Sequence, residues 1–179
     1  MRSAFIALSL LALTAAGCSR SRKPASSVVA AGDKAVIGPL VYSVIDSEVT
    51  QQLGEDPKSA RTPQERFYLI RVSVTNASSD EQPIPTMTLV DDTGKSYTEL
   101  TDGTGVTNWL GVVRRVGPTQ TEQGVVLFDA PTKHYHLRLN DPLDEREIAI
   151  DVPLNLVPGQ LKNIDADPGA TALTVPGRR

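Results

Sequence analysis

The sequence predicts an all-β protein, a sandwich of antiparallel sheets, and three observations support that prediction. Several segments alternate apolar and polar residues with a period of two, which is the pattern of a half-buried strand. Turn-forming residues such as Asp, Gly and Asn separate these segments. Beyond residues 1–17, no segment shows a long helical period. Short strands with turns between them are typical of an antiparallel sandwich, here of about seven to eight strands.

The strand candidates lie within residues 33–157, which we take as the sandwich domain. The segments RFYLIRVSVTN, HYHLRLN and REIAIDVPL alternate most clearly, while LVYSVIDSEV and GVVLFDAP supply two further strands. The segment TMTLVDDTGKSYTEL predicts a hairpin that turns at Asp91 to Gly94. The residues predicted to face the core are Tyr68, Ile70, Val72, Val74, Tyr135, Leu137, Leu139, Ile148, Ile150 and Val152.

The start of the chain has the features of a secretory signal. Arg2 is followed by an uncharged run from Ala4 to Ala16, which is shorter than the roughly 20 residues of a membrane span. Small residues precede Cys18, the only cysteine. The stretch LTAAGC resembles the lipobox of bacterial lipoproteins, although Ala15 stands where a larger aliphatic residue is usual. The resemblance implies a signal peptide over residues 1–17 and lipid attachment at Cys18; the alternative is an ordinary signal with a chance cysteine.

The segments on either side of the sandwich are predicted to add little to the core. Residues 18–32 are rich in Ser, Ala and basic side chains, which predicts a flexible tether. Residues 158–179 carry Pro, Gly and Asp, which predicts a flexible C-terminal tail. In the tether, Arg20, Arg22 and Lys23 could rest on anionic lipid head groups, at about 1 kcal/mol each. A solvated tether is the alternative interpretation.

Charge and cysteine content exclude several classes of function. The chain has 18 basic and 21 acidic residues and a pI near 5.4. Such a balance argues against nucleic acid as a partner, because nucleic acids favour a basic face. A single cysteine cannot form an internal disulfide or a site of several thiolates. Asp92-Thr93-Gly94 and Gly94-Lys95-Ser96 match fragments of protease and phosphate-binding motifs, but a hairpin turn explains both.

The order of motifs resembles a known family. A strand ends at Asn76 before a polar loop; then come Leu89-x-Asp91-x-x-Gly94-x-x-Tyr97, a long loop and GVVLFDAP. This order resembles a domain-of-unknown-function family of bacterial lipoproteins and secreted proteins, over roughly Asp33 to Leu154. That family has a telokin-like immunoglobulin sandwich, similar to the mycobacterial immunoprotective extracellular antigen. The resemblance implies an immunoglobulin-like β-sandwich and an envelope location, and it carries no catalytic residues.

The two histidines are the candidate metal ligands. On a strand, His134 and His136 point to one face about 6.6 Å apart along the backbone. Two imidazoles so placed can share a zinc ion, which needs three or four ligands. The sequence marks no third ligand, although Asp129 and Asp141 lie near the ends of neighbouring segments, and Arg138 on the same face opposes a cation. The alternative is a solvated polar face.

One long connection, TDGTGVTNWLGVVRRVGPTQ, is the candidate binding loop. It holds the only tryptophan, Trp109, together with Arg114 and Arg115. Tryptophan and arginine are enriched at interaction hot spots, and long loops on a rigid sandwich often carry function. The alternative is that the indole folds back over the sandwich and covers apolar surface.

These observations predict a lipid-anchored cell-envelope protein on the periplasmic or extracellular face. Ser19 after the cysteine slightly favours the outer membrane, because some inner-membrane lipoproteins have Asp there. We predict a non-enzymatic binding or accessory module without a cofactor, which meets an envelope protein or polymer through its loops or an exposed sheet edge. The alternative function is a metal carrier or metal-dependent enzyme that uses His134 and His136.

Overall fold

The computed structural model describes residues 27–54, 60–141, 144 and 146–154. The predicted signal peptide, Cys18, most of the predicted tether and the predicted tail lie outside these residues. The described chain forms strands, and it contains no helix long and apolar enough to cross a membrane. The strands are β1 (Val28–Val29), β2 (Ala35–Ile37), β3 (Leu40–Thr50), β4 (Phe67–Asn76), β5 (Gln82–Pro83), β6 (Thr88–Asp91), β7 (Ser96–Thr98), β8 (Arg115–Val116), β9 (Thr121–Asp129), β10 (Tyr135–Asn140) and β11 (Glu147–Val152).

Two sheets form the sandwich, which confirms the predicted fold class. One sheet has the order β1-β11-β10-β6-β7, and the other has the order β2-β3-β4-β9. A small third sheet pairs β5 with β8. Neighbouring strands are antiparallel except for β1, which runs parallel to β11. Strands β1, β5 and β8 have two residues each, and the remaining eight match the predicted number.

The inner faces of the two sheets form the main core. The predicted core residues are buried there, apart from Ile148, which is half-buried and packs against the same cluster. The rings of Tyr68 and Tyr135 meet edge to face, with centroids 5.1 Å apart, and so connect the two sheets. The predicted hairpin is also confirmed, since β6 and β7 pair across a turn in which Gly94 has a φ of +86°.

A second, smaller apolar cluster covers the outer face of β4. Phe67 and Leu69 belong to the more polar face of that strand, yet Phe67 is 2% exposed. They pack with Leu53 and Leu127 under part of the long loop that follows β7. This loop therefore shields the apolar residues that the alternation of β4 leaves outside the main core.

The strand pairing gives the five-stranded sheet two distinct ends. At one end, Asn140 lies opposite Glu147, and the Ser27 carbonyl accepts a hydrogen bond from the Ala149 amide at 3.3 Å. We call it the N-terminal end, because the described chain enters the sheet there. At the other end, Tyr135 lies opposite both Val152 and Asp91. We call this second end the histidine end, because His134 directly precedes Tyr135. The described chain thus enters the sheet at the end opposite the histidines.

Candidate functional site

The histidine end brings together four polar side chains from three neighbouring strands. His134 and His136 lie at the start of β10, Asp92 lies in the turn after β6, and Asp151 lies on β11. His136 is directly opposite Asp151 in the strand register. We call these residues the His–Asp cluster. The sequence pattern predicted the two histidines as candidate ligands, but it did not predict Asp92 or Asp151 as their partners.

His134 lies between the two carboxylates. Its Nδ1 is 2.9 Å from Oδ1 of Asp92, and its Nε2 is 2.7 Å from Oδ1 of Asp151. The pKa of His134 is raised above 6.5, first by the hydrogen bond with Asp92 and then by the one with Asp151. Two carboxylates at hydrogen-bonding distance favour the doubly protonated imidazolium, in which both nitrogens donate.

His136 contacts the same two carboxylates from a second side. Its Nδ1 is 4.0 Å from Oδ1 of Asp92, and its Nε2 is 3.8 Å from Oδ1 of Asp151. The two imidazole rings are nearly perpendicular, at 87°, with centroids 4.8 Å apart. Ligand atoms of Asp92, His134 and His136 all lie within 4.8 Å of one another. The cluster is therefore compact enough for three side chains to share one small cation.

A buried neighbour holds the turn that carries Asp92. Asp91 is 3% exposed, and its Oδ1 accepts hydrogen bonds from the Thr93 amide and hydroxyl and from the Lys95 amide. Its Oδ2 pairs with Nζ of Lys133 at 2.7 Å. The hydrogen bond from Lys133, followed by that from Thr93, holds the pKa of Asp91 well below its usual range. Since Lys133 precedes His134, this pair connects the Asp92 turn to the start of β10.

The carboxylates considered as third ligands from the sequence lie elsewhere. Asp129 accepts hydrogen bonds from the amides of Gln64 and Glu65, and Asp141 pairs with Arg146 at 2.9 Å. The sequence marked no third ligand, and strand order brings Asp92 and Asp151 to the histidines. Arg138 does share the outer face, but its Nη2 is directed to Oγ of Ser96, at 3.4 Å.

The predicted binding loop folds back onto the sandwich. Residues 108–110 run along the edge of β9, where the Leu110 amide donates to Val125 and the Val125 amide donates to Asn108. The indole of Trp109 lies against Gly103, so that a Cβ there would be 2.0 Å from the ring. The half-buried indole of Trp109 therefore packs within its own loop, and the loop backbone lies along the edge of β9.

The two arginines of that loop have different environments. Arg114 is 7% exposed and forms a buried ion pair with Glu99. Its guanidinium therefore faces protein groups and not solvent. Arg115 is exposed and pairs with Glu81 at the surface. Of the three loop residues proposed for binding, Arg115 alone is fully at the surface.

Several solved structures share the fold. The yjhA protein from Bacillus subtilis has a TM-score of 0.55 at 16% identity, covering 70% of this chain and 99% of that one. The secreted protein MPT63 from Mycobacterium tuberculosis has a TM-score of 0.52 at 11% identity, covering 72% and 98%. The putative lipoprotein ycdA from Bacillus subtilis has a TM-score of 0.50 at 15% identity, covering 66% of this chain and 38% of that one.

Sequence comparison gives the family. No curated protein matches the chain. The family model described as a domain of unknown function, DUF4352, matches residues 29–146. This match spans most of the sandwich and confirms the resemblance drawn from the order of motifs. The chain belongs to the DUF4352 family.

Proposed function

We propose that the protein is a lipid-anchored component of the cell envelope that acts as a non-enzymatic binding module. The anchor is the acylated Cys18, and the binding surface is the histidine end of the sandwich. The observation that carries this proposal is the direction of β1. Ser27 enters the five-stranded sheet at the end opposite the His–Asp cluster. A chain anchored before Ser27 thereby presents the histidine end away from its point of attachment.

The length of chain between anchor and sheet supports this orientation. Ser27 lies nine residues after Cys18, and nine residues span at most about 30 Å. The N-terminal end of the sandwich then stays within about 30 Å of the bilayer. A partner approaching from the periplasm or the outside meets the opposite end first. Among the family-like structures, ycdA is described as a putative lipoprotein and MPT63 as a secreted protein, which fits an envelope location.

The side chains at the histidine end support binding over catalysis. His134 and His136 contact carboxylates in the described part of the chain, whereas nucleophilic catalysis pairs a histidine with a hydroxyl or thiol. The cluster is half exposed, so a partner can reach it without a conformational change. An envelope protein or polymer that offers hydrogen-bonding groups suits this half-exposed polar surface.

Acyl labelling and site-specific crosslinking test this proposal. Wild-type protein and Cys18→Ser are expressed in cells supplied with an alkyne fatty acid, and membrane and soluble fractions are compared. We expect label and membrane retention for the wild type and the loss of both for Cys18→Ser. A Cys18→Ser protein that stays acylated and membrane-bound contradicts the anchor.

The orientation is tested with a photoreactive residue at either end of the sandwich. The probe replaces exposed Lys95 at the histidine end or exposed Ser79 beyond β4, at the opposite end. We expect a discrete envelope partner to be captured from position 95 and not from position 79. Equal capture from both positions, or capture from position 79 alone, contradicts the assignment of the binding surface.

A further inference from the structure

We propose that Asp92, His134 and His136 bind one divalent transition metal ion of the zinc class, and that Asp151 orients both imidazoles. This inference goes beyond the envelope role and does not depend on lipid anchoring. Imidazole nitrogen and carboxylate oxygen are ordinary zinc ligands, and three protein ligands with one open position are typical of exchangeable or catalytic sites. Calcium and magnesium prefer all-oxygen ligands, so two imidazoles select against them.

Each carboxylate of the cluster faces the same ring nitrogen of both histidines. Both Nδ1 atoms face Asp92, at 2.9 and 4.0 Å, and both Nε2 atoms face Asp151, at 2.7 and 3.8 Å. A metal ion bound by the Nδ1 atoms and by Oδ1 of Asp92 leaves the Nε2–H groups to donate to Asp151. A carboxylate that accepts from a metal-bound imidazole fixes its ring orientation and raises its basicity. Here one carboxylate can serve both ligands.

Two of the three separations between ligand atoms are near the value for a tetrahedral site, and the whole set lies within 4.8 Å. Bonds of about 2.0–2.1 Å place neighbouring ligand atoms roughly 3.3 Å apart. The observed separations from Oδ1 of Asp92, 2.9 and 4.0 Å, bracket that value. Metal binding would therefore require the two rings to move closer together. The perpendicular arrangement of the rings lets both nitrogens approach one point without a clash between ring faces.

The local charge also suits a divalent cation. Asp92 and Asp151 bring two negative charges to the cluster, and the ammonium group of Lys133 is paired with Asp91. The Arg138 guanidinium is directed to the Ser96 hydroxyl and keeps its positive charge on the same face. An ion bound at the Nδ1 atoms would have the Asp92 carboxylate as a ligand and the Asp151 carboxylate on the Nε2 side of both rings.

The elements that carry the ligands hold them in place. His134 and His136 bracket Tyr135, which is fully buried, so their positions on β10 are fixed by the core. Asp92 is held by the hydrogen bonds of Asp91. The side chains themselves are 63%, 44% and 24% exposed for Asp92, His134 and His136, so an ion can enter from solvent. The competing explanation is a cluster of surface ion pairs with no ligand.

Calorimetric titration of the full-length protein with Zn²⁺ tests the site. The protein is purified in nonionic detergent without an affinity tag, because a polyhistidine tag would itself bind the metal. We expect one Zn²⁺ per chain and no heat with Ca²⁺. His136→Gln and Asp92→Asn should each weaken binding by about 100-fold or more, and Asp151→Asn by roughly 10–100-fold, as for other outer-shell partners. The matched control, exposed Asp80→Asn, should change affinity less than about threefold.

A second readout separates a metal site from non-specific binding. Co²⁺ in place of Zn²⁺ should give the visible absorption of a four-coordinate ion in the wild type and lose it in His136→Gln, with circular dichroism showing both proteins folded. No binding at millimolar Zn²⁺ would overturn the proposal and identify a surface ion-pair cluster only. Equal affinity in the wild type, His136→Gln and Asp92→Asn would overturn it as well. Either result leaves the acyl-labelling outcome at Cys18 unaffected.

Discussion

Arg114 and Glu99 form a bidentate ion pair inside the protein. Nη1 of Arg114 is 2.8 Å from Oε2 of Glu99, and Nη2 is 2.7 Å from Oε1. The two side chains are 3% and 2% exposed. Glu99 also accepts from the Met87 amide, while Arg114 donates to the carbonyls of Pro85 and Gly111. The pair thus joins the long loop to the segment before β6.

Removing one partner of this pair should be strongly destabilising. In Arg114→Met, the Glu99 carboxylate stays buried without its counter-charge, and such a loss costs about 3–5 kcal/mol of unfolding free energy. The neighbouring Arg115→Met is the matched control, since it breaks an exposed pair with Glu81 worth at most about 1 kcal/mol. Urea unfolding measures both variants. Equal losses of unfolding free energy in the two variants would show that the buried pair stabilises the protein no more than the exposed pair does.

The contact between Gly103 and Trp109 predicts a second effect. In Gly103→Ala, the new methyl group would overlap the indole, so the ring must leave its position. We expect a loss of about 1–3 kcal/mol, as for other overpacked sites. Because Trp109 is the only tryptophan, its emission should shift to longer wavelength as the ring gains solvent. Thr101→Ala, at an exposed position in the same loop, should change neither quantity; an unshifted spectrum in Gly103→Ala would contradict the packing.

Local alternation was sufficient to predict most strands, because burial of one sheet face imposes a period of two. It predicted the inward set on β4 and β10 and placed His134 and His136 together on one outer face. It did not reveal that β4 has a second apolar contact, through Phe67, under a distant loop. Short strands such as β1 and β5 carry too few residues to show a period at all. Their pairing depends on the strands beside them.

Asp92 of the His–Asp cluster could not be predicted for a different reason. Asp92 reaches His134 only because β6 pairs with β10, and these strands are separated in sequence by β7, β8 and β9. A local pattern contains no information on that pairing. Burial of Arg114 was missed because arginine is mostly a surface residue, and its partner Glu99 lies 15 positions earlier. The available signal in the sequence was a pair of opposite charges, Glu99 and Arg114, near the two ends of a long loop.

Asp91 should make stability depend on pH in the acidic range. The pKa of Asp91 in the folded state lies below its ordinary value of 3.8, chiefly because Lys133 and Thr93 stabilise the carboxylate. The stabilisation is therefore complete above about pH 4 and is lost as the pH falls below that value. Urea unfolding of the wild type and Asp91→Asn, in buffer with a chelator, measures the effect.

We expect the difference in unfolding free energy between these two proteins to be largest near neutral pH and to shrink below about pH 4. Asp80→Asn, at an exposed position, serves as the control and should differ little from the wild type at any pH. A gap between the wild type and Asp91→Asn that stays constant from about pH 7 to about pH 3 would rule out a shifted Asp91 carboxyl as its source.

Asn76 holds the loops beyond β4 through its side-chain hydrogen bonds. The loss of unfolding free energy on substitution should therefore depend on the polarity of the new side chain. Its buried Nδ2 donates to the carbonyls of Asp80, Val116 and Gly117, at 2.7–3.1 Å, while Oδ1 accepts from the amide of Ser78 at 2.8 Å. In Asn76→Ala these groups lose a common partner, and each unsatisfied group costs about 1–3 kcal/mol. We expect a net loss of about 2–4 kcal/mol in urea unfolding, because water replaces some of these bonds.

Asn76→Asp sharpens this test, because it replaces the donor by a carboxylate that faces three carbonyl oxygens. Repulsion from these oxygens and burial both disfavour the ionised form, so the new carboxyl should have a raised pKa in the folded state. Asn76→Asp should therefore be less stable than Asn76→Ala at about pH 7 and recover part of that loss near pH 4, where a protonated carboxyl can donate. Asn140→Asp, exposed at the end of β10, should show neither the loss nor the recovery. If Asn76→Asp instead matches the wild type at neutral pH, the Asn76 amide cannot be the donor that holds these loops together.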